Sequence, residues 1–195
     1  MGLWDNDSNE VTGVDITDDH DYPFEFVHKD VFDLPLSFFE KFDLIWASPP
    51  CQFYSWSARK HKKEYPDLIA KTRNLLQKTG KPFIIENVQG APLRKDLRLC
   101  GEMFGLRVLR HRIFEIEGFW VMQPPHLKHR KPVDDIHSYY ACVAGHGGAS
   151  YSFRIEHWKE AMQIDWINKK NHLTQAVPPA YSDYILRYFT MPQQV

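Results

Sequence analysis

Cys51 stands in the stretch ASPPCQFYSWS (47–57), directly after the apolar run FDLIW and two prolines. A structural cysteine usually sits inside an element as a small hydrophobe. This one sits at a stiff strand exit, where the unpaired N–H groups of a following turn or helix start can lower a thiol pKa. Glu86 ends a second apolar run, KPFIIENV (81–88). A carboxyl group in a partly apolar cleft can hold a raised pKa and serve as an acid or hydrogen-bond partner. The two together are a nucleophile and an acid, the materials of covalent catalysis. Two further acids, Asp15 and Asp30, end the runs EVTGVDI (10–16) and FEFVHKD (24–30). Singly, each acid reads as a cap or a solvated turn residue. Taken with Cys51 and Glu86, they define an edge with cofactor-type acids on one side and chemistry on the other.

The elements that must position these residues follow from periodicity. Near-continuous apolar runs such as FDLIWASPP (42–50) suit central strands of a parallel sheet, buried on both faces. PDLIAKTRNLLQKTG (66–80) has apolar residues at 68, 69, 75 and 76 and a terminal glycine, which predicts a helix. Strand, polar loop, helix, strand is the rhythm of an α/β sheet with crossover helices, whose functional groups collect at the carboxyl ends of the strands. RHRIFEIEG (110–118) alternates like a further strand, and the apolar run YYACVAG leads into the glycine-rich GHGGASYS. FRIEHWKEAMQIDWI (153–167) predicts an amphipathic helix, and Pro178 and Pro179 open a last helical segment, AYSDYILRYF.

Composition bounds the rest. The chain has 195 residues, 43% hydrophobic and 14% aromatic, which suits one folded domain. No apolar run approaches the roughly 20 residues needed to cross a bilayer, and MGLWDNDSNE has neither the pattern of a secretory signal nor a good myristoylation match. Cys51, Cys100 and Cys142 lie far apart with no C-x-x-C pair, which argues against a disulfide framework and a structural zinc site. The ten histidines are scattered. His126 and His129 read as part of a solvated or phosphate-facing basic loop, so no metal is expected. The expected compartment is a reducing cytoplasm. The net charge of −1 hides an asymmetry: residues 1–40 hold eleven acids against Lys29, and the remainder holds 23 Lys and Arg against 14 acids. Basic residues bunch at 59–63, 107–112 and 128–131, a pattern that suits a polyanion-facing surface.

The order PPCQ-x-x-S, ENV-x-G, R-x-R before an apolar strand, and then LTQAVPPAYSDYI (173–185) resembles the DNA (cytosine-5)-methyltransferase family. It is most similar to the compact members found in phages and in some bacteria and archaea. The resemblance runs from Glu10 almost to the end of the chain. It implies a Rossmann-like α/β domain over 1–195 with a mostly parallel sheet. The catalytic and cofactor core would be 10–117 and 153–195, with a small DNA-recognition insert at 118–152. It implies that Cys51 is the nucleophile that adds to C6 of a target cytosine, so that C5 takes a methyl group from S-adenosylmethionine. Glu86 is then the carboxyl group at N3 and the exocyclic amine, Asn87 braces the catalytic loop, and Arg110 and Arg112 orient the base and nearby carboxylates. Asp15 and Ile16 would hold the ribose end of the cofactor. Asp30 and Val31 would read its adenine, with Pro50 lining the same pocket. A cytosine within a duplex must be flipped out to reach a thiolate. The aromatic, basic stretch 52–63 suits a loop that closes over it, although Phe53, Tyr54 and Trp56 could equally be core. Gln52, Ser55, Arg59, Lys60, Lys62, Lys63, Lys128 and Arg130 are the expected DNA contacts, mostly to phosphate.

Three departures qualify the resemblance. The family's glutamine before the arginine pair is Val108. The stretch after the arginine motif is far shorter than the recognition domain of larger relatives. The family's opening glycine-rich turn has no counterpart in MGLWDNDSNE, and the loss of that central strand would expose two neighbouring strand edges. A fragment of a longer reading frame, one piece of a split enzyme completed by a second chain, and a degenerate DNA-binding copy would each account for it. A cysteine hydrolase is a further alternative. It needs a histidine near Cys51, where His61 is the only nearby one, and it leaves the order of the motifs unexplained.

Overall fold

A computed structural model of the chain describes residues 10–18, 22–51, 54, 67–126, 128–129, 139–143 and 153–190. No helix among them is long and apolar enough to cross a membrane. The chain divides into two compact units. One is built from Asp5–Asp96 and Ile113–Trp120, the other from Leu97–Arg112 and Val121–Val195 together with Met1–Trp4.

The first unit holds the strand ends. β1 (Thr12–Asp15) and β2 (Glu25–His28) pair in parallel from Thr12 opposite Glu25 to Asp15 opposite His28. β3 (Ile45–Ala47) runs parallel to β4 (Phe83–Asn87), with Ala47 opposite Ile85. The helix between them, α1 (Ile69–Thr79), buries Ile69, Thr72 and Leu76 on one face and stops at Gly80. Gly80 has φ +66°, the left-handed conformation that glycine adopts without a Cβ penalty. β4 is buried along its whole length, because strands flank it on both sides.

Its second neighbour makes this sheet mixed, where a mostly parallel one is expected. β6 (Arg112–Glu117) runs antiparallel to β4, Asn87 lying opposite Ile113 and Phe83 opposite Glu117. A parallel return needs a crossover, usually a helix. The connection over 88–111 contains only the short strand β5 (Leu97–Leu99) and a 3-10 turn (Gly101–Phe104), so β6 comes back the other way. The β1–β2 pair is also a sheet of its own, not hydrogen-bonded to the strands of β3 and β4. β1 and β3 therefore each keep one edge without a strand neighbour among the described residues.

The second unit has a core that includes Leu106, Val108, Trp158, Met162, Ile164 and Leu173. Its helices are α2 (Ile155–Met162), α3 (Lys170–Gln175) and α4 (Pro179–Thr190). Pro179 is the first residue of α4, where a missing N–H costs nothing. α2 is shorter than the predicted helix over 153–167. Gln163 takes φ +55°, and the N–H groups of Gln163 and Ile164 donate to the carbonyls of Glu160 and Lys159 at 3.2 and 3.0 Å. This is the Schellman pattern. A non-glycine residue there costs about 1 kcal/mol, and the burial of Ile164 offsets it. Of the predicted apolar run YYACVAG, Ala141 forms an isolated bridge with Val108.

Tyr181, fully buried on α4, donates its hydroxyl to the Arg110 carbonyl at 2.7 Å. Tyr181→Phe keeps the shape and orphans that acceptor, so a loss of about 1–2 kcal/mol is expected in urea denaturation.

Candidate functional site

The parallel pairing of β3 and β4 sends Ser48-Pro49-Pro50-Cys51 out at the edge where Glu86 and Asn87 end β4. Asn87, 1% exposed, donates from Nδ2 to the Pro49 carbonyl at 2.8 Å, and its Oδ1 accepts from the Val88 N–H at 2.9 Å. One buried side chain thus fixes the strand exit that carries the thiol. Cys51 is half-buried with a free thiol, and Glu86 is buried on β4. The Cys51 carbonyl accepts from the Tyr54 N–H at 3.0 Å.

Tyr54 itself belongs to the core. Its ring packs in a cluster with Ile69, Leu76 and Phe83. Its hydroxyl is hydrogen-bonded to the Asp67 carboxylate, which also accepts from the Ile69 N–H at the start of α1. Burial, and then Asp67, push the phenol pKa well up. Of the two readings of the loop aromatics, core packing therefore holds for Tyr54. Phe53 and Trp56 lie outside the described residues, as do Gln52, Ser55, Arg59, Lys60, His61, Lys62, Lys63, Arg130 and the loop GHGGASYS.

The two outer acids lie at the carboxyl edge of the β1–β2 pair. Asp15 Oδ1 accepts from the Thr17 N–H at 2.7 Å, and Asp30 Oδ1 accepts from the Phe32 N–H at 2.9 Å. Each carboxylate shapes its own turn with one oxygen, and Oδ2 of each takes no hydrogen bond among the described residues. Asp30 thereby caps the 3-10 turn that Val31 begins. Ile16 is exposed, its carbonyl bonded to His28 Nε2 at 2.9 Å, and Pro50 is exposed as well.

Of the two arginines, Arg110 is buried, and its guanidinium donates to backbone carbonyls in its own unit: Ala176 at 2.7 Å, Thr174 at 2.5 Å and Val143 at 3.3 Å. Arg110 thus holds the LTQAV segment in place, a structural task that the expectation of a base-orienting residue did not include. Arg112 is half-buried and donates to the His111 carbonyl at 2.9 Å.

The second unit also gathers residues that the sequence leaves apart. One ligand atom from each of Cys100, His111, His126 and His129 lies within 4.8 Å of the others. His111 Nε2 is 3.2 Å from His126 Nε2 and 3.1 Å from His129 Nε2, and His129 Nδ1 is 2.7 Å from Glu102 Oε2. His126 is exposed and His129 half-buried, and each places a ring nitrogen beside His111 Nε2. Burial first, then the neighbouring His129, His126, Arg98 and Arg112, pull the His111 pKa down to about 4. No short-spacing motif announces the group, because its members come from three separate stretches of chain. Lys128, between the two histidines, is exposed.

Residues 17–104 match the family model for C-5 cytosine-specific DNA methylase. Over that stretch the chain is similar to the DNA cytosine-5-methyltransferase family. The matched stretch includes Asp30, Cys51, Glu86 and Asn87, and the geometry at the ends of β3 and β4 falls wholly within it. Asp15, Arg110 and Arg112 lie outside the match. Among curated proteins, none matches the chain.

Proposed function

We propose that this chain is a methyltransferase acting on cytosine in DNA, with Cys51 adding to C6 of a flipped base so that C5 accepts a methyl group from S-adenosylmethionine. The observation that carries this reading is the Asn87 amide on the Pro49 carbonyl, because it holds the cysteine's strand exit beside the strand end that bears Glu86. S-adenosylmethionine, when bound, supplies the electrophilic methyl group. Asp15 and Asp30 fit its ribose hydroxyls and adenine amine, since both sit on one parallel edge and each keeps a carboxylate oxygen for a ligand. Ile16, Val31 and Pro50 would line the same pocket.

The protein groups have separable tasks. The Cys51 thiolate forms a bond to C6, and the electron pair of the C5–C6 double bond makes C5 nucleophilic. Glu86 at the N3 side hydrogen-bonds the base as charge develops there, and a buried carboxyl group does this without solvent reorganisation. Loss of the C5 proton and expulsion of the thiolate restore the double bond and free the cysteine. Arg112 would orient the base, and Lys128 and the basic run at 59–63 would contact phosphate without reading sequence.

The test is a duplex with 5-fluorocytosine at the target position, incubated with the chain and S-adenosylmethionine. Fluorine at C5 cannot leave as a proton does, so a covalent protein–DNA product is expected. Its absence, alongside normal DNA binding, would overturn the covalent reading. Asn87→Ala should lower turnover by roughly a hundredfold, as a misplaced reacting group does, with DNA affinity nearly unchanged. A matching loss of DNA affinity would count against a positioning role.

A second reading is favoured by the division of the strands into two sheets. The bare edges of β1 and β3 suit a strand supplied by another segment or a second chain. Under it, the chain contributes the DNA-facing and nucleophile side, and methyl transfer requires the added strand. Mixing experiments that raise adduct yield would favour this reading. Full yield from the isolated chain would remove it.

A further inference from the structure

We infer that Cys100, His111, His126 and His129 form a zinc site, an inference independent of whether the methyl-transfer proposal holds. Zn2+ bound by imidazole nitrogen at about 2.0–2.1 Å places tetrahedral nitrogens about 3.4 Å apart. The observed separations of 3.2 Å (His111 to His126) and 3.1 Å (His111 to His129) are close to that edge. Hydrogen bonding alone does not account for them. His111 Nε2 meets two ring nitrogens at once, and one ring nitrogen offers either a single proton or a single lone pair. At best one of the two contacts is a well-directed hydrogen bond, and the other lacks a proton aimed along it. A cation at the centre satisfies all three lone pairs together.

The surrounding groups favour the same conclusion. Glu102 takes the Nδ1 proton of His129 at 2.7 Å, which leaves Nε2 as the lone-pair nitrogen aimed at the cluster. A carboxylate behind a ligating imidazole is the usual support of a zinc site. Burial raises the pKa of the fully buried Cys100 thiol, and backbone N–H groups of Glu102, Arg110 and Gly101 turned to its sulfur work against that rise. They would stabilise the thiolate formed when the thiol gives its proton to solvent on metal binding. One sulfur and three nitrogens select zinc over harder cations. Four protein ligands leave no open position, so the site is structural. It ties the 121–129 stretch to the chain around Cys100 and His111, and so fixes the base of the segment that carries Lys128.

The experiment uses the full-length chain without an affinity tag, with Zn2+ alone as the ligand and Co2+ as its spectroscopic stand-in. About one zinc per chain is expected after dialysis against metal-free buffer. The cobalt form should show the intense bands of tetrahedral coordination with a sulfur-to-metal charge-transfer band that Cys100→Ser lacks. His126→Ala, at an exposed position, should weaken zinc about tenfold or more, and Glu102→Gln by about 10- to 100-fold. If Cys100→Ser fails to fold, His126→Cys replaces it and should retain zinc with a stronger charge-transfer band. A native chain that retains no zinc against a chromogenic chelator overturns the inference. So does zinc binding that His126→Ala and Glu102→Gln leave unchanged.

Discussion

Cys51→Ser is expected to reduce methyl transfer to background while the folding midpoint stays within about 0.5 kcal/mol of the native value. The two side chains differ by one atom, and Cys51 is half-buried with no bond of its thiol to another cysteine, so packing changes little. The chemistry changes greatly. A thiolate is a far better nucleophile toward carbon than a hydroxyl, and a serine hydroxyl needs a strong adjacent base to attack. The assay pairs radiolabelled methyl incorporation with 5-fluorocytosine trapping, and the substituted chain should give neither product. C5 methylation of DNA by the purified serine variant would remove Cys51 from the nucleophile role. A native DNA affinity in the same preparation would confirm that the variant is folded and docked.

The second large effect concerns Glu115, which lies 2% exposed on β6. Arg73 of α1 grips both its oxygens, Nε to Oε1 at 2.6 Å and NH2 to Oε2 at 2.7 Å, and the Arg94 N–H adds a bond at 3.0 Å. Burial alone would raise this carboxyl pKa; the hydrogen bonds from Arg73 and Arg94 outweigh it and hold the group below its ordinary range. Because the folded pKa is depressed, the stabilisation is present above the unfolded value of 4.5 and is lost as pH falls through the folded one. Arg73→Met leaves the carboxylate buried without its counter-charge and should cost about 3–5 kcal/mol at pH 7. The pH response should also invert. With burial now dominant, the variant regains stability on acidification as the carboxyl takes a proton. Urea midpoints across pH 3–8 measure both signs, and a loss below about 1 kcal/mol at pH 7 would show the pair to be incidental. If the single variant does not fold, Arg73→Met with Glu115→Met should recover most of the stability, since an apolar pair of similar volume is well tolerated.

Strand ends were readable because buried runs are continuous and their terminating prolines and acids are local signals. FDLIW followed by Pro-Pro, and FIIEN followed by a turn, place Cys51 and Glu86 on one edge with little else needed. Helix α1 was equally legible, since Gly80 marks its end as clearly as Ile69 and Leu76 mark its face. The direction of β6 was not legible, because alternation in RIFEIE is the same for parallel and antiparallel pairing. Nor was the end of α2, where Gln163 adopts a conformation usually left to glycine because Ile164 then reaches the core. Arg110 and Tyr54 show a related limit. Each residue type suits the function that the motif suggests, and only tertiary contacts reveal that one is spent on carbonyls and the other on packing. The histidine group is the extreme case, since Cys100, His111 and the pair at 126 and 129 share no spacing rule.

The two units are interleaved along the chain: one takes residues up to Asp96 and then Ile113–Trp120, and the other takes the stretch between them and the remainder. During synthesis, β4 therefore emerges well before its antiparallel partner, with Arg73 waiting for Glu115. A nascent chain that ends near residue 104, where the family match ends, would hold the nucleophile and its carboxylate on a sheet still open along β4. Cutting the gene at that boundary would isolate the recognisable motif without the strand that seals it. A piece that keeps this sheet closed along β4 must therefore run at least to the end of β6, beyond the point where the family likeness stops.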